Sequence, residues 1–217
     1  MTQILLVTSS PRAEASYSTQ VAHALAKELI SQQKDSALIV HDFAEHPLNH
    51  IDDSLAAVLN TPREQLSPSQ KAVLARSDEL VSELMASDIV IIAAGMINFS
   101  IPSTLKSYID HILRAGTTFR YTEKGPEGLV RGKKAYLVLA RGGVYSEGPM
   151  QAMNFQDPYL KAALGFIGLT DIEVITIEGV AHGADAAARA MDAAMERISA
   201  LAPQVSGKLA KLASVAS

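Results

Sequence analysis

Residues 88–102 read DIVIIAAGMINFSIP, and this stretch decides the fold. Its first part, DIVIIAAG, is a nearly continuous apolar run, which is typical of a strand buried on both faces of a sheet. The second part, MINFSIP, contains Asn98 and ends in Pro102, so it predicts a loop at the carboxyl end of that strand. A buried strand that leads into such a loop favours an α/β fold with a ligand site near the loop.

Further strand candidates flank this stretch, at residues 3–8, 37–43, 133–140 and 171–179. Helical patterns separate them, and no hairpin is expected between successive core strands. This alternation predicts an α/β fold with a doubly wound five-stranded parallel sheet, in the order 2-1-3-4-5, and helices on both faces. The 217 residues suit a single domain that spans residues 1–217.

Local signals set the expected ends of the helices. Ser67, Pro68 and Gln70 have the pattern of an N-cap, a first-turn proline and a capping-box partner. Ser103 is expected to cap the following helix and Gly116 to end it. Residues 44–66 contain prolines and scattered charge, and they predict a long, partly irregular connection.

Composition excludes several classes of function. The chain has 19 basic and 23 acidic residues, so its net charge of −4 gives no basic face for nucleic acid. It has no cysteine, which excludes disulfides, thiol catalysis and thiolate metal sites. The histidines show no metal-ligand spacing, and the apolar run IVIIAAGMI is too short to span a bilayer. We therefore expect a cytoplasmic protein without a metal or a membrane partner.

Three non-repetitive loops follow predicted strands one, three and four, at residues 9–18, 95–102 and 141–148. In the predicted order these strands are neighbours, so the three loops converge at the carboxyl edge of the sheet. Ligands of doubly wound sheets bind at this point, where the strand order reverses. The convergence is the main functional signal in the sequence.

The first loop, SSPRAEASYS, contains hydroxyls and no glycine. Its serines fit ordinary helix capping or phosphate binding, and both roles are compatible because a helix N-terminus is already an anion site. A diphosphate would require glycines for close backbone approach, so the loop favours a phosphate monoester.

The other two loops each leave alternatives open. MINFSIP is apolar for a surface loop, which fits a loop tucked under another element, an oligomer contact or the wall of a pocket for a flat apolar ligand. Gly142 and Gly143 fit close approach of a ligand to the backbone or a plain turn. Arg141 fits either a ligand contact or a solvated side chain.

Residues 96–143 read MINFSIPSTLKSYIDHILRAGTTFRYTEKGPEGLVRGKKAYLVLARGG, and they resemble the core of the FMN-dependent NADH azoreductases, which also act as quinone reductases. The stretch RAGTTFRYTEKGPEGLV is long and unusual in composition, and the similarity extends over essentially the whole chain. The resemblance implies a flavodoxin-like fold and a homodimer with tightly bound, non-covalent FMN at the subunit interface.

The resemblance also implies roles for individual residues, which fall into three cofactor-binding groups and one substrate-pocket group. They are the phosphate group Ser10, Ser16, Tyr17 and Ser18; the isoalloxazine group Met96, Ile97, Asn98 and Phe99; the pyrimidine group Ala140, Arg141, Gly142 and Gly143; and the aromatic pocket group Phe119, Tyr121 and Phe166, which a partner subunit could supply.

The activity implied is ping-pong hydride transfer from NADH or NADPH, which reduces quinones and cleaves aromatic azo compounds to amines. The cofactor carries the difficult chemistry. No side chain stands out as a general acid, so we expect water to supply the proton to the acceptor. The family loop commonly reads Met-Tyr-Asn-Phe, so Ile97 is a departure that we expect to affect substrate range and not FMN binding. The alternatives are a non-catalytic flavodoxin-like electron carrier and a flavin-free interaction module.

Overall fold

The computed structural model describes residues 1–33, 35–59, 61 and 63–215. Its strands are β1 (Thr2–Thr8), β2 (Ser36–Asp42), β3 (Ile89–Gly95), β4 (Phe119–Thr122), β5 (Gly125–Gly128), β6 (Lys134–Ala140) and β7 (Asp171–Ile177). Its α-helices are α1 (Tyr17–Ser31), α2 (Asp53–Leu59), α3 (Pro68–Ala86), α4 (Ser103–Ile112), α5 (Gln156–Phe166) and α6 (Ala184–Val215).

The main sheet has five parallel strands in the order β2-β1-β3-β6-β7. With β6 and β7 as the fourth and fifth core strands, this confirms the predicted order. The register aligns Gly95 of β3 with Ala140 of β6, and Ala140 with Ile177 of β7. The carboxyl ends of these strands therefore lie side by side, at one edge of the sheet.

The sheet is covered on both faces, as predicted. On one face, Val90 and Ile92 pack with apolar residues of α3, α4 and α5. On the other face, Ile91 and Ala93 pack with residues of α1 and α6. All these β3 side chains are fully buried, which explains why this strand is apolar at every position.

The capping box of α3 is confirmed, because the Ser67 hydroxyl accepts from the Gln70 amide and the Gln70 side chain accepts from the Ser67 amide. The predicted ends of α4 are wrong. Pro102 is its N-cap residue, Ser103 makes no capping hydrogen bond, and the helix ends at Ile112 and not at Gly116. Gly116 instead lies in the next turn, with a φ of 77°.

The structure also contains a β-hairpin that the sequence did not predict. Strands β4 and β5 pair antiparallel, outside the main sheet. The hairpin packs closely against the turn between α5 and β7. The two backbones are so near that a Cβ on Gly128 would lie 2.3 Å from the backbone nitrogen of Gly168. The Val130 amide also donates to the Ile167 carbonyl at 2.8 Å. The hairpin is therefore anchored near the amino edge of the sheet.

The connection at residues 44–66 contains one short helix, α2, and a 3-10 turn at Arg63–Gln65. Leu55 and Val58 of this helix pack on Leu74 of α3. Among the described residues, no helix has both the length and the apolar character that a membrane crossing needs.

Candidate active site

Hydrogen bonds bring the three predicted loops together at the carboxyl edge of the sheet. We name them the β1 loop (residues 9–16), the β3 loop (residues 96–102) and the β6 loop (residues 141–148). The Ser9 hydroxyl donates to the Ala93 carbonyl at 3.1 Å, which ties the β1 loop to the end of β3. The Met96 amide donates to the Ala140 carbonyl at 2.7 Å, which ties the β3 loop to the end of β6.

The β1 loop buries a small cluster of hydroxyls at the N-terminus of α1. The Ser16 hydroxyl caps this helix by accepting from the Thr19 amide at 3.3 Å, and it lies 3.1 Å from the Ser18 hydroxyl. Ser10, Ser16 and Ser18 are all buried. The first-turn amides of Tyr17 and Ser18 have no acceptor within the helix. Buried hydroxyls, free amides and the positive end of the helix dipole are the features that an anion site requires.

Arg12 adds a positive charge that the sequence reasoning missed. Its guanidinium lies 5.5 Å from the centre of the ring of Tyr17, the first residue of α1. Arg12 is the only basic residue between positions 9 and 18, which is the signal that would have identified it.

The β3 loop contains a tight turn at Ile97–Ser100. The amides and carbonyls of Ile97 and Ser100 form two reciprocal hydrogen bonds of 3.0 Å. Asn98 and Phe99 between them have φ angles of 46° and 71°, so both are left-handed, as in a type I′ turn. In the described part of the chain, the non-glycine residues with positive φ are these two and Ala13 of the β1 loop. Such strained residues cluster at functional sites.

The turn presents an exposed apolar surface. The exposed fractions are 42% for Ile97 and 38% for Phe99. Phe99 meets the ring of Tyr145 edge to face, with 6.4 Å between ring centres, and its carbonyl accepts from the Phe155 amide at 3.0 Å. The β6 loop and the start of α5 therefore hold the β3 loop in place, while its apolar side chains stay accessible.

The β6 loop offers free backbone donors. The carbonyl of Gly142 accepts from the Ala181 amide at 2.9 Å, and that of Gly143 accepts from the Gly179 amide at 3.0 Å. Within the described residues, the amides of Gly142 and Gly143 themselves have no acceptor. A Cβ on Gly143 would lie 3.2 Å from the Tyr145 ring, so a side chain here would crowd the loop.

The Arg141 side chain faces neither a free surface nor solvent. It is 3% exposed, and its guanidinium donates to Gln156, Asp157 and Glu178 at 3.0, 2.7 and 3.4 Å. Burial acts to raise the pKa of Asp157, but hydrogen bonds from Lys161 and Asn154 and the charge of Arg141 outweigh it and lower that pKa overall. Arg141 is thus an internal anchor beneath the β6 loop, and sequence reasoning missed its three partners.

A cavity of about 710 Å³ opens beside the β3 loop. It lies between that loop, the N-terminus of α4 and the ends of β1 and β2, and its volume is that of a small-molecule site. Its lining residues are Ser9, Pro11, Ala44, Ile97, Asn98, Ser100, Ile101, Pro102, Ser103, Thr104, Lys106 and Tyr159. No group of His, Asp and Glu side chains suited to a metal ion occurs among the residues that the structure describes.

The aromatic residues predicted for the substrate pocket form a separate cluster. Phe119 packs on Tyr121 and on Phe166, with ring centres 5.6 and 4.7 Å apart. Helix α5 begins beside Arg141 at the carboxyl edge of the sheet and ends at Phe166, close to the hairpin at the amino edge. One chain therefore does not bring these aromatics to its own three loops, and Tyr121 is 75% exposed.

A doubly wound five-stranded parallel sheet in this strand order is the architecture of flavodoxin-like proteins. The family model described as flavodoxin-like fold matches residues 2–202, so the chain belongs to this family.

Individual relatives have more specific names. The chain is 51% identical over 202 residues to "FMN-dependent NADH:quinone oxidoreductase 1" of Rhizobium etli, a match that covers 93% of this chain and 98% of the relative. It is 46% identical over 203 residues to the FMN-dependent NADH:quinone oxidoreductase of Herminiimonas arsenicoxydans, covering 94% and 100%. Among solved structures, an azoreductase from Bacillus anthracis str. Sterne superposes with a TM-score of 0.86 at 29% identity, covering 94% and 100%.

Proposed function

We propose that this protein is an FMN-dependent NAD(P)H oxidoreductase that reduces quinones and cleaves the azo bonds of aromatic azo compounds to amines. The observation that carries the proposal is the convergence of three loops at the switch point, with an anion site in the β1 loop and free amides in the β6 loop. The names of the relatives, which are quinone oxidoreductases and an azoreductase, support this reaction class.

The described residues fit FMN, which has a flat ring system and a single phosphate at the end of its ribityl chain. The hydroxyls of Ser10, Ser16 and Ser18 and the amide of Tyr17 would hold the phosphate, and Arg12 adds charge nearby. The β3 loop, from Met96 to Phe99, would contact the ring system. The loop after β1 has no glycine that would let a diphosphate approach the backbone, so FMN is expected to bind in preference to FAD.

The β6 loop would hold the pyrimidine end of the ring system. Amides of Gly142 and Gly143 can donate to that end and stabilise negative charge that develops there. Ala140 contributes by accepting from the Met96 amide through its carbonyl, and Arg141 contributes by fixing the loop. When bound, FMN would take a hydride from the nicotinamide and supply two electrons per cycle, so that a quinone is reduced in one cycle and an azo bond is cleaved to two amines in two. The chain's own task is to orient the two reactants and to exclude water.

The cavity beside Ile97 gives the acceptor and the nicotinamide a common space. Its lining is apolar on the side of Ile97 and Ile101 and carries hydroxyls and Lys106 on the side of α4. A flat aromatic acceptor fits such a surface. Because both substrates need the same space, they bind in turn, which is a ping-pong order.

The proposed assembly is a homodimer with FMN at the interface, in which each chain is one FMN-binding domain over residues 1–217. The cluster of Phe119, Tyr121 and Phe166 lies at the far end of α5 from the chain's own loops. A second copy can bring its aromatic cluster to the β1, β3 and β6 loops of this chain. The exposed Tyr121 of that copy would then cover the ring system. The proposed location is the cytoplasm, where NADH is available.

The proposal is tested on purified protein that has been stripped of flavin. We expect it to bind FMN more tightly than FAD by calorimetry, and to oxidise NADH or NADPH when a quinone or an azo dye is present. Double-reciprocal plots for nicotinamide and quinone should be parallel. FMN binding without nicotinamide oxidation would favour a non-catalytic electron carrier, and no binding of FMN would overturn the proposal.

A further inference from the structure

Gln156 connects the end of β3, which leads into the β3 loop, to the start of the β6 loop. These two loops flank the proposed flavin ring. It is fully buried at the start of α5. Its side-chain nitrogen donates to the Ala94 carbonyl at 3.1 Å, at the end of β3, and its side-chain oxygen accepts from Arg141 Nε at 3.0 Å. One side chain thus links the strand that leads into the β3 loop to the first residue of the β6 loop.

Glu178 continues this connection to the outer part of the β6 loop. It directly follows β7, and its carboxylate is 3.4 Å from the Arg141 guanidinium. The same carboxylate accepts from the amides of Tyr145 and Ser146 at 3.0 and 3.2 Å, and from the Ser146 hydroxyl. Hydrogen bonds between an ionised group and backbone amides are among the stronger ones in proteins.

From these contacts we infer that Arg141, Gln156 and Glu178 are positioning residues for the flavin, acting as one clamp. The clamp sets the distance between the β3 loop and the β6 loop and holds the latter so that the amides of Gly142 and Gly143 stay free for the ring. This inference rests on the proposed function. None of the three residues needs to contact the cofactor, because each acts through loop backbone.

The contacts beside Glu178 show why the clamp governs this loop. Arg141 pairs through its backbone with Ile177 and Val180. The other hydrogen bonds of the loop within the described residues are accepted by the carbonyls of Gly142 and Gly143, and by the carbonyls of Ser146 and Gly148 from Gln151. Tyr145 also carries the ring that meets Phe99 edge to face. Release of the Tyr145 and Ser146 amides would therefore loosen the β6 loop and one support of the β3 loop together.

The test compares Glu178→Ala, which removes the acceptor, with Glu178→Gln, which keeps an oxygen for the two amides but loses the charge. The matched control is Glu173→Ala, because Glu173 lies on β7 and pairs with Arg197, away from the loops. The first measurement is hydrogen exchange of the assigned Tyr145 and Ser146 amides in the flavin-free protein. The second is the Kd for FMN by quenching of flavin fluorescence.

We expect Glu178→Ala to speed exchange at both amides by at least about tenfold and to weaken FMN binding by about tenfold to a hundredfold, from the usual contribution of charged hydrogen bonds. Glu178→Gln should recover part of both effects, and Glu173→Ala should change neither. If wild type binds FMN while Glu178→Ala leaves exchange and Kd unchanged, the clamp is wrong and the proposed function stands. If wild type binds no FMN, the proposed function fails and the clamp has no role in it.

Discussion

Ile97 is the residue whose identity most directly concerns the acceptor. Its side chain is 42% exposed at the turn of the β3 loop and lines the cavity beside it. The backbone of this loop, and not the side chain, is expected to hold the flavin. Ile97→Tyr should therefore leave the Kd for FMN nearly unchanged. An aromatic ring adds about 0.5–1.5 kcal/mol of stacking energy, so relative rates among quinones and azo dyes should change by about twofold to over tenfold.

The control for this change is Val73→Tyr on α3, because Val73 is 39% exposed and lies away from the three loops. It should alter neither FMN affinity nor the order of acceptors in steady-state assays. The assignment of Ile97 is wrong if Ile97→Tyr strips the flavin while the relative rates with different acceptors stay as they were.

Substitutions at Asn98 can measure the cost of its left-handed backbone separately from the loss of its side chain. Its φ of 46° is tolerated by asparagine and glycine, but it costs an alanine about 1–2 kcal/mol. Asn98→Ala and Asn98→Gly remove the same side-chain amide. We therefore expect the flavin-free protein to be less stable to urea with alanine than with glycine, by about 1 kcal/mol.

The same pair of changes at Lys71, an exposed position in α3, provides the comparison. Glycine should there be the less stable of the two, because it is a poor helix former. A preference for alanine at position 98 as well would mean that the turn does not hold Asn98 in the left-handed region.

At the scale of elements, the N-terminus of α1 combines a structural and a binding task. Ser16 caps the helix, so Ser16→Ala should lower stability by about 0.5–2 kcal/mol. Ser10 has no capping role, and its hydroxyl accepts only a long bond of 3.4 Å from the Arg12 amide. Ser10→Ala should therefore leave stability unchanged and weaken FMN binding, by up to about 1.5–3 kcal/mol for a hydrogen bond to phosphate.

Riboflavin is the matched ligand for this prediction, because it lacks the phosphate. Calorimetric titration of Ser10→Ala should show reduced affinity for FMN and unchanged affinity for riboflavin. Equal losses for the two ligands would mean that Ser10 supports the ring system and not the phosphate.

The five core strands and the α3 capping box were predictable because their signals are local and agree with one another. The hairpin was not, because FRYT and GPEG are short and the second contains glycine and proline, which disfavour strands. Its position depends on the contact of Gly128 with Gly168, which lies far along the chain. The partners of Arg141 were hidden for the same reason, since Glu178 is 37 positions away.

At the scale of the whole molecule, the direction of α5 separates two parts of the proposed site. The β1, β3 and β6 loops lie at the carboxyl edge of the sheet, and the cluster of Phe119, Tyr121 and Phe166 is anchored near the amino edge. If each site takes its aromatic wall from the partner chain, a loop defect in one chain and a wall defect in the other fall on the same site of a mixed dimer and leave its second site intact. The proposed dimer can therefore be tested by its activity as well as by its mass in solution.

The test pairs two variants, Tyr121→Ala and Gly143→Trp. Gly143→Trp crowds the β6 loop against Tyr145, and should abolish FMN binding in its own chain. Tyr121→Ala should keep FMN and lose acceptor turnover, because it removes the wall of the partner's site.

The mixed dimer, isolated with two affinity tags, has one site with intact loops and an intact Tyr121 from the other chain. We expect it to show about half the wild-type turnover per dimer, whereas both parent homodimers are nearly inactive. If the aromatic wall came from the same chain as the loops, neither site of the mixed dimer would be complete, and its turnover would match that of the parents.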